Sequence, residues 1–364
     1  MENKKFQGII PPEKWIKDCS TPLIIAGPCS AETEEQVMQT AHQLKNTGVV
    51  QIFRAGIWKP RTQPNTFEGV GSVGLEWLQR VKRETGMSVA TEVGSAKHVF
   101  EAIKYGVDLL WIGARTTSNP FAIQEIADAL QGADIPVLVK NPLSPDLDLW
   151  IGAIERLHAV GLRKLGAIHR GFFSWEKTDL RNQPCWHIPL SMMRQFPDLP
   201  IICDPSHIAG KRELVPEIAQ RAYDLRMHGL MVETHINPDN AWSDARQQLT
   251  PANFSEMIQS LVGTDSDEPY NHNLNDLRTE IDEIDEQLLG MVARRMRTVE
   301  KIAHLKEEEK LNVIQPKRWQ DVLVNVKTKA ESRGLRPTFA EGLFNAIHEE
   351  SVLLQSNIIR SNQP

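Results

Sequence analysis

Long apolar runs, paired cysteines and an excess of positive charge are all missing from this chain of 364 residues. No stretch approaches the ~20 apolar residues that span a bilayer, and the opening MENKKFQGIIPPEKW lacks the apolar centre of a secretion signal. The four cysteines, Cys19, Cys29, Cys185 and Cys203, show no CxxC spacing. That argues against a disulfide framework or a structural zinc site and points to a reducing cytoplasm. Lysine plus arginine number 41 against 47 aspartate plus glutamate, a net charge of −6, so nucleic acid and anionic membranes are poor partners. No GxGxxG follows the first apolar run, which makes an open dinucleotide-binding sheet the weaker architecture. No additional regulatory domain is expected before that run.

What is present is a regular beat. Eight short apolar runs, LIIAG, VVQIFRAG, SVATEV, DLLWIGA, IPVLVKN, RKLGAIHR, PIICDPSH and GLMVETH, alternate with amphipathic stretches. The latter include 34–45, 75–84, 96–105, 120–130, 148–159 and 213–228, each of helical length and period. Eight βα units predict a (β/α)8 barrel over residues 1–262, one large domain with room left for a small one.

The stretch 230–244, LMVETHINPDNAWSD, opens apolar and then presents Glu233, His235, Asp239 and Asp244. Just upstream, IICDPSH ends an apolar run on Asp204, Ser206 and His207. Two successive strands thus deliver polar side chains at their C-terminal ends, where a parallel barrel keeps its active site. His207, Glu233 and Asp244 are of the types a divalent transition metal takes, and Cys29, in GPCS after the first run, supplies a thiolate. Such a donor set accepts manganese, iron, cobalt or zinc without selecting one. Arg54, Lys59, Arg61, Arg115, Lys140 and Arg170 converge on the same mouth, more positive charge than a metal site needs. The substrates are therefore anionic, carrying several phosphates or a phosphate plus a carboxylate. No organic cofactor is required. His235 and Asp239 are left in supporting or structural roles.

GPCS, KPRT at Lys59–Thr62, GAR at Gly113–Arg115, HRG at His169–Gly171, DPSH at Asp204–His207 and the ETH…SD pattern together resemble the 3-deoxy-D-arabino-heptulosonate-7-phosphate (DAHP) synthases, over most of residues 23–262. The resemblance implies condensation of phosphoenolpyruvate with erythrose 4-phosphate at a divalent metal held by Cys29, His207, Glu233 and Asp244. It implies that Arg115, Lys140 and Arg170 bind phosphoenolpyruvate and that Arg61 and Thr62 hold the phosphate of erythrose 4-phosphate. Lys59 lies between them as proton donor, and Arg54 joins the substrate-binding cations. The related 3-deoxy-octulosonate-8-phosphate synthases, which take arabinose 5-phosphate, usually carry KANRS where this chain has KPRT.

Composition shifts at 263–270, GTDSDEPY, which predicts a linker over 263–272. The remaining 273–364 form an all-α domain. From Asn273 to Glu309 there is no proline and one glycine, with Leu274, Leu277, Ile281, Ile284, Leu288, Val292, Val299 and Ile302 at three- and four-residue steps. One helix of roughly 55 Å follows, too long for so small a domain to bury, so a second subunit should cover it as a homodimer. Two more helices are predicted at 317–332 and 337–359. Arg295 and Lys306 fall on the apolar stripe and Arg278 at its edge, while Ser351 and Gln355 share a face of the last helix. Cations on a buried stripe point to a small anionic ligand inside the bundle.

LRTEIDEIDEQLL together with Arg295, Lys306, Arg318 and the SVLLQ of Ser351–Gln355 resembles the all-helical chorismate mutases. That resemblance implies rearrangement of chorismate to prephenate. Arg295, Lys306 and Arg318 would bind carboxylates and ether oxygen within one chain, with Gln355 and Ser351 beside them and Arg278 reaching in from the other. Trp319 departs from the pattern where some members carry a glutamate. The combined reading is a cytoplasmic bifunctional enzyme of aromatic biosynthesis whose helical domain also mediates feedback by prephenate or chorismate. Its alternatives are a helical domain that only dimerises and senses, and octulosonate synthesis in the barrel.

Overall fold

The computed structural model describes residues 5–16, 19, 21–59, 66–175, 178–261 and 272–361, the last stretch with side chains from 277 to 360. The chain divides into two compact units, Met1–Asp276 and Leu277–Pro364. Most of the expected 263–272 linker, and the expected site residues Arg61 and Thr62, lie outside the described residues.

The first unit is a closed barrel of eight parallel strands in sequential order. They are β1 (Leu23–Gly27), β2 (Ile52–Arg54), β3 (Ser88–Val93), β4 (Leu109–Ile112), β5 (Val137–Lys140), β6 (Leu165–His169), β7 (Ile201–Cys203) and β8 (Gly229–Glu233). The seam is the β1–β8 pair, in register from Leu23 opposite Gly229 to Gly27 opposite Glu233. Gly229 belongs there because a Cβ would meet Leu23 O at 2.1 Å.

Alternation along each strand separates two cores. One row, including Ile24, Ala26, Phe53, Leu110 and Val232, packs under the surrounding helices. The other, Leu23, Ile25, Ile52, Ala90, Leu109, Trp111, Leu138, Ile168, Ile202 and Met231, fills the barrel, with Trp15 packed into the same cluster. Two residues beyond an inward apolar residue, the same row turns polar. Ile52 leads to Arg54, Ala90 to Glu92, Leu138 to Lys140, Ile168 to Arg170, Ile202 to Asp204 and Met231 to Glu233. Period two thus delivers six charged groups to one end of the barrel.

Helices fall where the amphipathic stretches lie: Glu34–Thr47, Val73–Thr85, Ala96–Lys104, Pro120–Ala129, Leu147–Ala159 and Val215–Asp224. Caps fix several starts; Thr33, Ser95, Asn119 and Asp146 each accept a backbone N–H of the first turn with a side-chain oxygen. Two further helices, His187–Gln195 after β6 and Pro251–Ser260 after β8, were not anticipated; the first, HIPLSMMRQ, carries a proline and no acidic first turn. Among the described residues no helix is long and apolar enough to cross a membrane.

The second unit consists of the helices His272–Glu308, Pro316–Glu331 and Pro337–Ser361. Lys310, in the left-handed region at φ 55°, and the Leu311 N–H to Lys306 O bond at 2.8 Å end the long helix. Among the described residues of that helix, Thr279, Val299 and Ala303 are buried. Leu277, Ile281, Ile284, Leu288 and Met291, spaced four, three, four and three, stay about half exposed.

Candidate active sites

At the C-terminal mouth of the barrel, Cys29, Glu233 and Asp244 bring one donor atom each to within 4.8 Å of one another. Glu233 ends β8, while Cys29 and Asp244 sit on the loops after β1 and β8. Gly27, at φ +151°, makes the first loop possible, since a Cβ would lie 2.0 Å from Arg54 O. Cys29 Sγ is 3.4 Å from Asp244 Oδ2. His207 borders this trio rather than joining it. Its Nε2 is 3.7 Å from Glu233 Oε1, while its Nδ1 faces Asp204 Oδ2 at 2.8 Å, an orientation that turns Nε2 toward the pocket.

Cations hold these acids. Arg54 Nη2 lies 3.3 Å from Glu233 Oε1, with its guanidinium 4.7 Å from the centre of the Trp111 ring. Lys59 Nζ donates to Cys29 Sγ at 3.1 Å and to Cys29 O at 2.8 Å. Lys140 Nζ pairs with Asp204 Oδ2 at 2.7 Å. Arg170 donates to Asn182 Oδ1 at 2.7 Å and is buried. Arg115 is exposed at the rim, its charge among those felt by Arg170.

Burial dominates the titration of the site. It pushes the Cys29 thiol up to about 12, with Glu233 adding to the effect and Lys59 opposing it. Burial alone would lower Lys59, but Cys29, Glu92 and Glu233 around it outweigh that, so the ammonium holds its proton more tightly than usual. Arg170 falls to about 10 through burial, with Arg181 and Arg115 nearby pulling the same way against Asp204. Burial opposes ionisation of Asp244, yet Arg181, His207 and Lys59 hold its carboxyl well below the usual range.

Several participants escaped the sequence reading. Arg181 reaches Asp244 Oδ1 at 3.1 Å from the loop between β6 and His187–Gln195, and no motif distinguished it from a surface arginine. Gln247 donates to Glu233 Oε2 at 2.7 Å and accepts from Arg181. Asp204, named at a strand end but given no role, bridges Lys140 and His207.

In the helical unit, Arg295 Nη1 donates to Ser351 Oγ, and Gln355 Nε2 to Ser351 O at 3.0 Å. Gln355 Oε1 is buried and has no hydrogen-bond partner among the described residues. Lys306 Nζ donates to Val313 O at 2.6 Å. Arg278 and Arg318 are exposed. Trp319 stacks on His348 with ring centres 3.8 Å apart. Partial burial, then the Arg295 and Lys306 charges, lower the His348 pKa, so those two cations face the same region.

Residues 14–267 match the DAHP synthetase I family. The chain belongs to that family. Residues 277–356 match chorismate mutase type II, and the two domains make it a bifunctional enzyme. The phospho-2-dehydro-3-deoxyheptonate aldolase of Thermotoga maritima is 35% identical over 238 residues, 65% of this chain and 68% of that protein. A 2-dehydro-3-deoxyphosphooctonate aldolase of Vesicomyosocius okutanii is 30% identical over 265 residues, 67% of this chain and 91% of that protein. The crystal structure of the Thermotoga maritima DAHP synthase gives a TM-score of 0.59 at 33% identity, covering 66% of this chain and 67% of that one. A truncated form of the synthase from the same organism gives 0.57 at 32%, covering 65% and 84%.

Proposed function

We propose that the barrel condenses phosphoenolpyruvate with erythrose 4-phosphate to DAHP and inorganic phosphate, and that the helical unit rearranges chorismate to prephenate. What carries the first half is the meeting of an acidic trio with Arg54, Lys59, Lys140 and Arg170 at one barrel mouth.

The pocket suits a divalent metal. Its donors are thiol, carboxylates and a nearby imidazole, and Asp204 turns His207 Nε2 inward. A thiol raised by burial and by Glu233 becomes a ligand once a cation displaces its proton. Cys29, Glu233, Asp244 and His207 would hold the ion, which supplies Lewis acidity toward the aldehyde carbonyl. Its identity is left open by a donor set that several metals satisfy.

The chain's own residues supply position and charge. Nε and Nη1 of Arg54 are buried without hydrogen-bond partners among the described residues, an arrangement fit for an anion beyond Glu233. With Lys140, Arg170 and Arg115 it would hold the phosphate and carboxylate of phosphoenolpyruvate so that C3 faces the aldehyde carbon. As the carbon–carbon bond forms, the aldehyde oxygen takes the electron pair and Lys59 delivers the Nζ proton. Water adds to C2 and one of its protons restores the Lys59 ammonium; the bond from C2 to the phosphate oxygen then breaks, the remaining hydroxyl proton passing to the departing phosphate as the C2 ketone forms. Phosphate leaves among the same cations.

The mutase reaction is pericyclic and needs neither nucleophile nor base. Arg295, Lys306 and Arg318 would bind the carboxylates, with Lys306 and Gln355 meeting charge on the breaking ether oxygen and Ser351 orienting Arg295. The apolar row Leu277, Ile281, Ile284, Leu288 and Met291 supports a homodimer through the long helices, bringing in Arg278 of the partner subunit. Prephenate bound there would feed back on the barrel in a cytoplasmic enzyme.

A paired assay on purified chain, before and after chelation and metal return, tests both halves. Phosphoenolpyruvate should be consumed with erythrose 4-phosphate only when metal is present, and chorismate lost regardless. Turnover only with arabinose 5-phosphate would move the barrel to octulosonate synthesis, and persistent chorismate would leave the helical unit as a sensor.

A further inference from the structure

His235 of the ETH motif takes no part in the reaction described above, yet it is buried beside the pocket. The Asn237 N–H donates to its Nδ1 at 2.9 Å, which puts the ring proton on Nε2; Glu32 Oε2 stands 3.4 Å from that nitrogen, a charge contact and not a hydrogen bond. The other Glu32 oxygen accepts the Trp242 N–H at 2.7 Å and the Ser30 hydroxyl at 3.3 Å. Ser30 Oγ in turn meets Ser243 Oγ at 2.6 Å. Gln248 adds a second tie, its Oε1 accepting the Cys29 N–H at 3.0 Å and its Nε2 donating to Ser243 O at 2.8 Å. Glu32, Ser30, Ser243, His235 and Gln248 are all buried.

Every one of these bonds touches the loop after β1 or the loop after β8. Cys29 and Ser30 lie on the first, Trp242, Ser243 and Asp244 on the second, so two ligand-bearing loops are fastened side to side. Asp244 also sits at φ 49° in the left-handed region, which aspartate tolerates better than most side-chain-bearing residues but still at some cost. Its neighbours Trp242 and Ser243 are the ones held.

We propose that Glu32 and Gln248 are positioning residues of the metal pocket, clamping the β1 and β8 loops so that Cys29 and Asp244 present their donor atoms at one point. The inference rests on the reading of Cys29, Glu233 and Asp244 as a metal pocket. Neither residue is among the metal donors or substrate-binding cations named above. Removing either tie lets the loops part and Asp244 relax toward right-handed backbone, which weakens metal binding ahead of any effect on folding.

The test is cobalt binding to the full-length chain, followed by chelator competition and by the cobalt–thiolate absorption band. Gln248→Met removes both Gln248 bonds at similar volume, Glu32→Gln removes the charge behind the bonds Glu32 accepts from Trp242 N–H and the Ser30 hydroxyl, and Ser243→Ala removes only the hydroxyl pair. Urea unfolding followed by near-ultraviolet circular dichroism of the barrel tryptophans reports whether each variant is folded. Gln248→Met and Glu32→Gln should each weaken cobalt binding by about 10–100-fold, the range for partners that orient metal ligands, and shift the thiolate band, with Ser243→Ala smaller in the same direction. Wild-type affinity and an unshifted band in Gln248→Met and Glu32→Gln would overturn the clamp. Should either fail to fold, Ser243→Ala decides by the same two readouts. A wild-type chain that takes up no cobalt would instead reject the metal pocket, and the clamp with it.

Discussion

Lys59 Nζ stands 3.1 Å from Cys29 Sγ and 2.8 Å from Cys29 O, so one ammonium touches both the side chain and the backbone of a metal-donor candidate. A Cβ on Gly56 would come within 2.5 Å of Cys29 O and 3.2 Å of that ammonium. Lys59→Met should therefore lower condensation kcat by roughly 10²–10⁴-fold, the usual worth of a positioned proton donor. Mutase turnover should not change. A loss confined to KM in steady-state kinetics would remove Lys59 from the proton-transfer step.

Cys29→Ala removes the thiol that closes the trio with Glu233 and Asp244. It should abolish stoichiometric metal and condensation together and leave chorismate turnover intact. Metal analysis of the dialysed variant is the check; a full complement of metal would refute Cys29 as an essential ligand.

His169 is fully buried, and burial with the adjacent Arg170 charge depresses its pKa to about 3 from an ordinary 6.5. Between those values the unfolded chain carries a proton there that the folded chain refuses. Stability contributed by neutral His169 is thus present above pH 6.5 and lost as pH falls toward 3, with a slope up to ~1.4 kcal/mol per pH unit. Urea unfolding of the barrel from pH 4.5 to 7.5 should show a shallower loss in His169→Asn than in wild type. Equal slopes would contradict the assignment.

Leu288 lies in the exposed apolar row of the long helix. Leu288→Glu puts a charge into the proposed dimer seam, against the ~1.5–3 kcal/mol that burying each leucine there contributes. Sedimentation should register a shift from dimer toward monomer, with mutase activity falling because Arg278 of the partner subunit is withdrawn. An unchanged dimer would place the interface elsewhere.

Lys306→Ala separates catalysis from sensing. If Lys306 meets charge on the ether oxygen, mutase kcat should fall about 10²–10³-fold, while condensation without added prephenate stays the same. Wild-type chorismate turnover in this variant would reduce the helical unit to a sensor.

Much of the barrel site was legible because period two does the placing. A strand that buries Ile52, Leu138, Ile202 or Met231 in the barrel must aim Arg54, Lys140, Asp204 or Glu233 along the same row. Motif residues at strand ends therefore came out together without knowledge of any contact. Arg181, Gln247 and Gln248 did not, since they sit on loops, where no repeat ties sequence spacing to direction. His207 was identified by type, but its setting against Asp204 at 2.8 Å depends on the first turn of a short helix, Pro205–Ala209, that no periodicity marks. On the long helix the three- and four-residue spacing predicted a stripe, and the chain alone covers only part of it.

The Cys29–Asp244 contact joins residues 215 positions apart across the β1–β8 seam. On the ribosome, most of the barrel is therefore synthesised before its two ends can meet, and an unfinished chain lacks the full set of donors proposed here for a metal. On that proposal, metal capture would come only after the ring has closed.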